Sequence, residues 1–125
     1  MATKDLRDRE NPQFFDVWKL SWEKGNDNNP AKMFHNLDVR VMSEKKESGQ
    51  GTYMVQASPG WEHVENADEA TLELFVLEGD LTVNGKQVGA GGYVAIPQDC
   101  GAAEMSSESG FKGYAFWDSQ WVKGF

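Results

Sequence analysis

One short stretch holds most of the side chains able to move a proton or hold a metal. Trp61 to Glu69, reading WEHVENADE, carries His63 among four acidic residues, Glu62, Glu65, Asp68 and Glu69. Histidine titrates near neutral pH, and ionised carboxylates beside it can only accept hydrogen bonds. Glu73 follows inside the apolar run Leu72, Leu74, Phe75, Val76 and Leu77, where a carboxylate is costly unless paired and where burial would suit it to general acid or base work. Period-two alternation sets Glu73 on the face opposite Leu72 and Leu74, so it is either a pocket acid or an outward one. Cys100, in the turn Gln98-Asp99-Cys100-Gly101, has no histidine beside it in sequence and reads as an inert thiol. His35 precedes an alternating segment and reads as a surface or packing residue.

The elements that must position these residues are strands. From Ala70 to Pro97 the chain reads as strand, Glu78-Gly79 turn, strand, Asn84-Gly85 hairpin and strand. Asn-Gly between two β-rich runs signals a hairpin because both residues tolerate the positive φ of a type I′ turn. Leu37, Val39 and Val41 alternate with Asp38, Arg40 and Met42 as in a half-buried strand. Thr52 to Gln56 is a further short strand, Ala102 to Ser109 a polar strand or loop, and Gly110 to Trp117 a closing strand. Phe14 to Trp22 is extended or irregular, and Gly25 to Pro30 is turn-forming throughout. Residues 1–13 form a polar arm, which leaves 14–125 as a single domain. Many short strands with regular turns in so small a chain predict a closed or double-sheet β architecture, which removes exposed sheet edges.

Charge and composition narrow the partners. A chain of 125 residues is long enough to bury a core without disulfide or metal staples. A net charge of -8 and a pI near 4.7 oppose nucleic-acid and anionic membrane surfaces, both of which call for a basic face. No apolar run approaches the roughly 20 residues of a spanning helix, and the first residues lack the apolar core of a signal peptide. The single cysteine fits a reducing compartment, so a cytoplasmic location is expected.

The segments FVLEGDLTVNG and GGYVAIP resemble those of a small cupin, an all-β, jelly-roll double-stranded β-helix barrel. The resemblance is good from Tyr53 to Trp117 and looser before that. Metal-binding cupins carry two histidines, a glutamate and a third histidine on one inward wall. With Gly79 as the closing glycine, the glutamate position falls on Leu72 and the histidine positions fall near Asn66 and Asp68. Gly91 and Pro97 fit the second motif, but Asp99 stands in place of its glycine and Ala102 in place of its histidine. An alternative set follows the family spacing with glutamate for the second histidine: His63, Glu65 and Glu69, with Glu104 as a fourth ligand. One imidazole and three carboxylates would suit manganese, iron or magnesium better than zinc. The other reading makes these acids solvated loop charges.

The resemblance implies a barrel-interior pocket walled by Trp61, Tyr93 and Trp117, with Glu73 or Glu104 placed for proton transfer. The expected function is then a small-molecule enzyme using carboxylate acid-base chemistry, as an isomerase, lyase or cyclase, or metal-assisted chemistry including oxygenation. The alternative is a non-catalytic module that binds or senses a small ligand, which loss of the usual ligand set favours. A plain dimeric scaffold is a third reading, and the resemblance implies a homodimer.

Overall fold

The computed structural model describes residues 12, 14, 16–24, 36–44, 50–66 and 70–118. Among these described residues a 3-10 turn at Val17–Lys19 is followed by ten strands in order: β1 (Glu23–Lys24), β2 (Asp38–Glu44), β3 (Gly51–Ala57), β4 (Trp61–Asn66), β5 (Thr71–Gly79), β6 (Leu81–Val83), β7 (Lys86–Val88), β8 (Tyr93–Ile96), β9 (Ala102–Ser107) and β10 (Phe111–Asp118). They form a six-stranded sheet ordered β1-β2-β3-β10-β5-β8 and a four-stranded sheet ordered β4-β9-β6-β7, with antiparallel pairing throughout the described strands. The architecture is the cupin-type jelly roll, an all-β double-stranded helix of strands.

Alternation decides which side chains enter the space between the sheets. In β2, Val39 and Val41 turn inward while Asp38 and Arg40 do not; in β5, Leu72, Leu74 and Val76 turn inward and Glu73 and Phe75 outward. β10 alternates along its whole length, with Phe111, Ala115 and Trp117 buried. Tyr53, Val55, Leu72, Val76 and Leu81 lie at the centre of the resulting core. Every Å² of apolar surface withdrawn there contributes about 25 cal/mol, so this core is the main stabilising term.

Two turns fix the register. Asn84 and Gly85 both have positive φ, 49° and 83°, and join β6 to β7 as a two-residue hairpin. Gly79 has φ 89° and leaves no room for a side chain, because a Cβ there would overlap the Gly110 carbonyl. Asp80 then ties this corner to the β9–β10 turn: its carboxylate accepts from the backbone N–H of Glu108 (3.1 Å) and Ser109 (2.9 Å) and from the Ser109 hydroxyl. Those donors, Ser109 foremost, lower the Asp80 pKa from 3.8 to about 2.

The segment before β1 lies on the outer face of the larger sheet. Asp16 caps the 3-10 turn by accepting from Trp18 N–H at 2.9 Å. Arg40 holds the segment in place: its Nε donates to the Leu20 carbonyl at 2.8 Å, and its guanidinium lies 4.1 Å from the Trp22 ring centroid and 5.7 Å from that of Trp18. Among the described residues no helix is long and apolar enough to cross a membrane.

Candidate functional site

The stretch expected to carry chemistry forms a strand rather than a loop. β4 pairs with β9 through all six of its residues, Trp61↔Ser107 to Asn66↔Ala102. Pairing fixes side-chain direction, so Trp61, His63 and Glu65 face the barrel interior while Glu62 and Val64 face out. His63 and Glu65 are two residues apart on the same face, and His63 Nε2 meets Glu65 Oε1 at 3.0 Å. Their side chains are 17% and 8% exposed.

A carboxylate in its ionised form has no proton to give; paired with that form, His63 donates through Nε2–H and keeps Nδ1 as its second ring nitrogen. Trp61 supports the imidazole from the next inward position, with ring centroids 6.0 Å apart and planes 21° from parallel. Phe111 meets Trp61 edge-on at 5.7 Å from the other side. The Trp61 indole Nε1 is buried and finds no acceptor among the described residues. A buried, unpaired donor costs on the order of 1–3 kcal/mol.

The remaining expected site residues are spread over three surfaces. Trp117 is buried inside the barrel, as Trp61 is. Tyr93 is 57% exposed on the outer face of the larger sheet, where its hydroxyl donates to Glu73. Neither Tyr93 nor Glu73 therefore lines the interior, and the outward alternative for Glu73 holds. The hydrogen bond to Glu73, with a smaller contribution from burial, raises the Tyr93 pKa above its usual 10. Glu104 stands opposite Val64 in the β4–β9 pair, and both point outward; its backbone N–H is held by the Asn84 side chain at 2.9 Å.

A metal reading can be tested on the donors. Of the four ligands suggested by the family spacing, His63 and Glu65 meet, Glu104 is on the opposite side of its strand, and Glu69 lies outside the described residues. The inward neighbours of the pair on β9 are Met105 and Ala103, which offer no hard donor. Among the described residues no three His, Cys, Asp or Glu side chains converge. Catalytic metal sites commonly use three protein ligands, and the two present here do not fit a cation by themselves.

A separate cleft of about 380 Å³ opens where β3, β5 and β9 end, lined by Gln56, Pro59, Glu78, Ser109, Phe111 and Lys112 among others. It contains neither His63 nor Glu65. Its charges, Lys112 and Glu78, face each other across 4.0 Å.

Comparison with solved structures agrees with this architecture. An RmlC-like cupin from Shewanella frigidimarina superposes with a TM-score of 0.64 at 14% identity, covering 91% of this chain and 95% of that one. KdgF from a Halomonas species gives 0.63 at 9% identity, covering 87% and 96%. A predicted oxalate decarboxylase from Thermotoga maritima gives 0.60 at 14% identity, covering 86% and 99%. The chain thus has the fold of the small cupins. Within that class it belongs to the family DUF4437, a domain of unknown function, whose model matches residues 16–122. No curated protein sequence matches it.

Proposed function

We propose that the chain is a small-molecule enzyme of the cupin superfamily in which His63 and Glu65 move a proton inside the barrel, in isomerase, lyase or cyclase chemistry. The observation that carries this reading is the inward, largely buried His63–Glu65 pair at 3.0 Å beside an indole N–H that lacks a partner among the described residues. Glu65 orients the imidazole and stabilises the positive charge that forms when Nδ1 takes up a proton. Stacking on Trp61 restricts ring rotation, so the base keeps one direction. The Trp61 N–H binds a carbonyl or hydroxyl oxygen of the substrate next to the C–H or O–H that gives up its proton. In an isomerase the same imidazole returns that proton to a neighbouring atom of the substrate; in a lyase it gives the proton to the oxygen leaving group as the adjacent C–O bond breaks and the double bond forms. This pair takes the acid-base role first expected of Glu73 and Glu104, which face outward.

The test is hydrogen exchange with solvent. Small oxo, hydroxy and sugar acids are incubated with the protein in D2O, and deuterium uptake is followed by NMR. Uptake into one compound class, lost in His63→Ala and reduced in Glu65→Gln, is the expected result. Uptake that persists in His63→Ala refutes the assignment.

A second reading, a non-catalytic module that binds a small ligand, is favoured by the apolar character of Leu72, Ala103 and Met105 on the barrel wall. It predicts saturable binding that perturbs Trp61 without any deuterium uptake.

A further inference from the structure

The outer face of the larger sheet carries one row of side chains across five strands. Register places Arg40 beside Met54, Met54 beside Tyr114, Tyr114 beside Phe75, and Phe75 beside Tyr93. The chain's own Trp18 and Trp22 engage one end of this row. There the Arg40 guanidinium sits over both indoles, Lys112 Nζ lies 5.8 Å from the Trp18 centroid, and Met54 is fully buried. The other end is open: Phe75 is 41% and Tyr93 57% exposed. Glu73, two residues from Phe75 on the same strand and face, is fixed beside these rings by the Tyr93 hydroxyl.

The covered end shows how this face makes contacts, by placing cations against aromatic rings. Aromatic rings attract cations through the negative potential over their faces, and desolvation strengthens the effect. At the open end the rings are Tyr93 and Phe75 with Tyr114 behind them, and the charge among them is the carboxylate of Glu73. One Glu73 oxygen accepts from Tyr93, and the carboxylate keeps further acceptor positions. The matching ligand is therefore positively charged and carries hydrogen-bond donors or an apolar shell. The protein's net charge of -8 draws such a ligand in and disfavours anions. Two partly exposed rings offer roughly 200 Å², far short of the about 800 Å² per partner of a stable protein interface. That area suits a small molecule.

We propose that Tyr93, Phe75 and Glu73 form a surface site for a small alkylammonium ligand, separate from the barrel interior. The ammonium lies over the Tyr93 and Phe75 rings and pairs with Glu73, as Arg40 lies over Trp22 at the other end of the row.

The test is NMR titration of the full chain with 1,4-diaminobutane and with tetramethylammonium, using butane-1,4-diol as the uncharged control. Saturable shifts of the Tyr93 and Phe75 ring signals are expected with both cations and not with the diol. Affinity should fall about two- to fivefold in Glu73→Gln and in Tyr93→Ala, and should weaken with added salt. Equal shifts from the diol, no saturable shift, or unchanged affinity in both variants overturns the proposal. A dimer in the parent chain that is lost in Tyr93→Glu, with no response to either cation, would make the face an interface between copies and overturn it also.

Discussion

Replacing His63 and Glu65 singly and together separates a pair kept for chemistry from one that holds the fold. In His63→Leu, the Glu65 carboxylate stays beside Ala103 and Met105, only 8% exposed and without its donor. Breaking a buried pair from one side in this way costs about 3–5 kcal/mol when the stranded partner is charged. Glu65→Leu strands an imidazole N–H instead, at about 1–3 kcal/mol. In the double variant both desolvation penalties vanish and two leucines join an apolar wall, so stability should return to within about 1 kcal/mol of the parent or exceed it. Urea unfolding resolves these differences, because with a slope of about 2 kcal/mol per molar a loss of 2 kcal/mol moves the midpoint by about 1 M. The expected order is double variant and parent together, then Glu65→Leu, then His63→Leu. A double variant no more stable than the weaker single one would show that the barrel needs this pair to fold, and would remove the argument that it is retained for function.

Three further outcomes follow from other parts of the chain. Asp80 has its pKa lowered to about 2 by its Ser109 and Glu108 donors; a depressed carboxylate stabilises fully above its unfolded value near 3.8 and loses that contribution as pH falls toward 2. Asp80→Asn should therefore flatten the dependence of melting temperature on pH in that window, measured by circular dichroism. Gly79→Ala sets a Cβ against the Gly110 carbonyl at φ 89°, so it should destabilise by more than the about 1 kcal/mol of Gly85→Ala, whose Cβ meets nothing within 4 Å; paired urea curves make the comparison. Glu73→Gln should lower the Tyr93 phenol pKa, which the Glu73 hydrogen bond raises, and ultraviolet titration at 295 nm reads it.

Strands were legible wherever alternation met a turn signal. Leu72, Leu74 and Val76 against Glu73 and Phe75 give both the strand and its inner face, and Asn84-Gly85 gives the hairpin. The candidate site was only partly legible. WEHVENADE has a period-two pattern in Trp61, His63 and Glu65, but two of those three residues are polar, so it resembles a solvated loop until the pairing with β9 is known. What turns it inward is the apolar wall of Ala103 and Met105 opposite, a long-range pairing that no local pattern announces. The family resemblance sets Tyr93 and Glu104 inward, but strand direction between two turns is ambiguous by one residue, and such a slip exchanges the faces. The row from Arg40 to Tyr93 could not be read from sequence, since it joins five strands that are distant along the chain. Trp18, Leu20 and Trp22 follow no clear period because the Arg40 side chain, rather than a strand ladder, holds them.

The central claim is that a small molecule is handled at His63, Glu65 and Trp61 inside the barrel. The measurement that meets it most directly is nitrogen-15 NMR of the Trp61 indole and His63 imidazole during titration with a panel of small oxo and hydroxy acids. A compound that shifts both signals in the parent chain, and leaves Trp61 unmoved when Glu65 is replaced by leucine, is the predicted result. Binding that moves Tyr93 or the Glu78–Lys112 cleft while Trp61 and His63 stay fixed would contradict it.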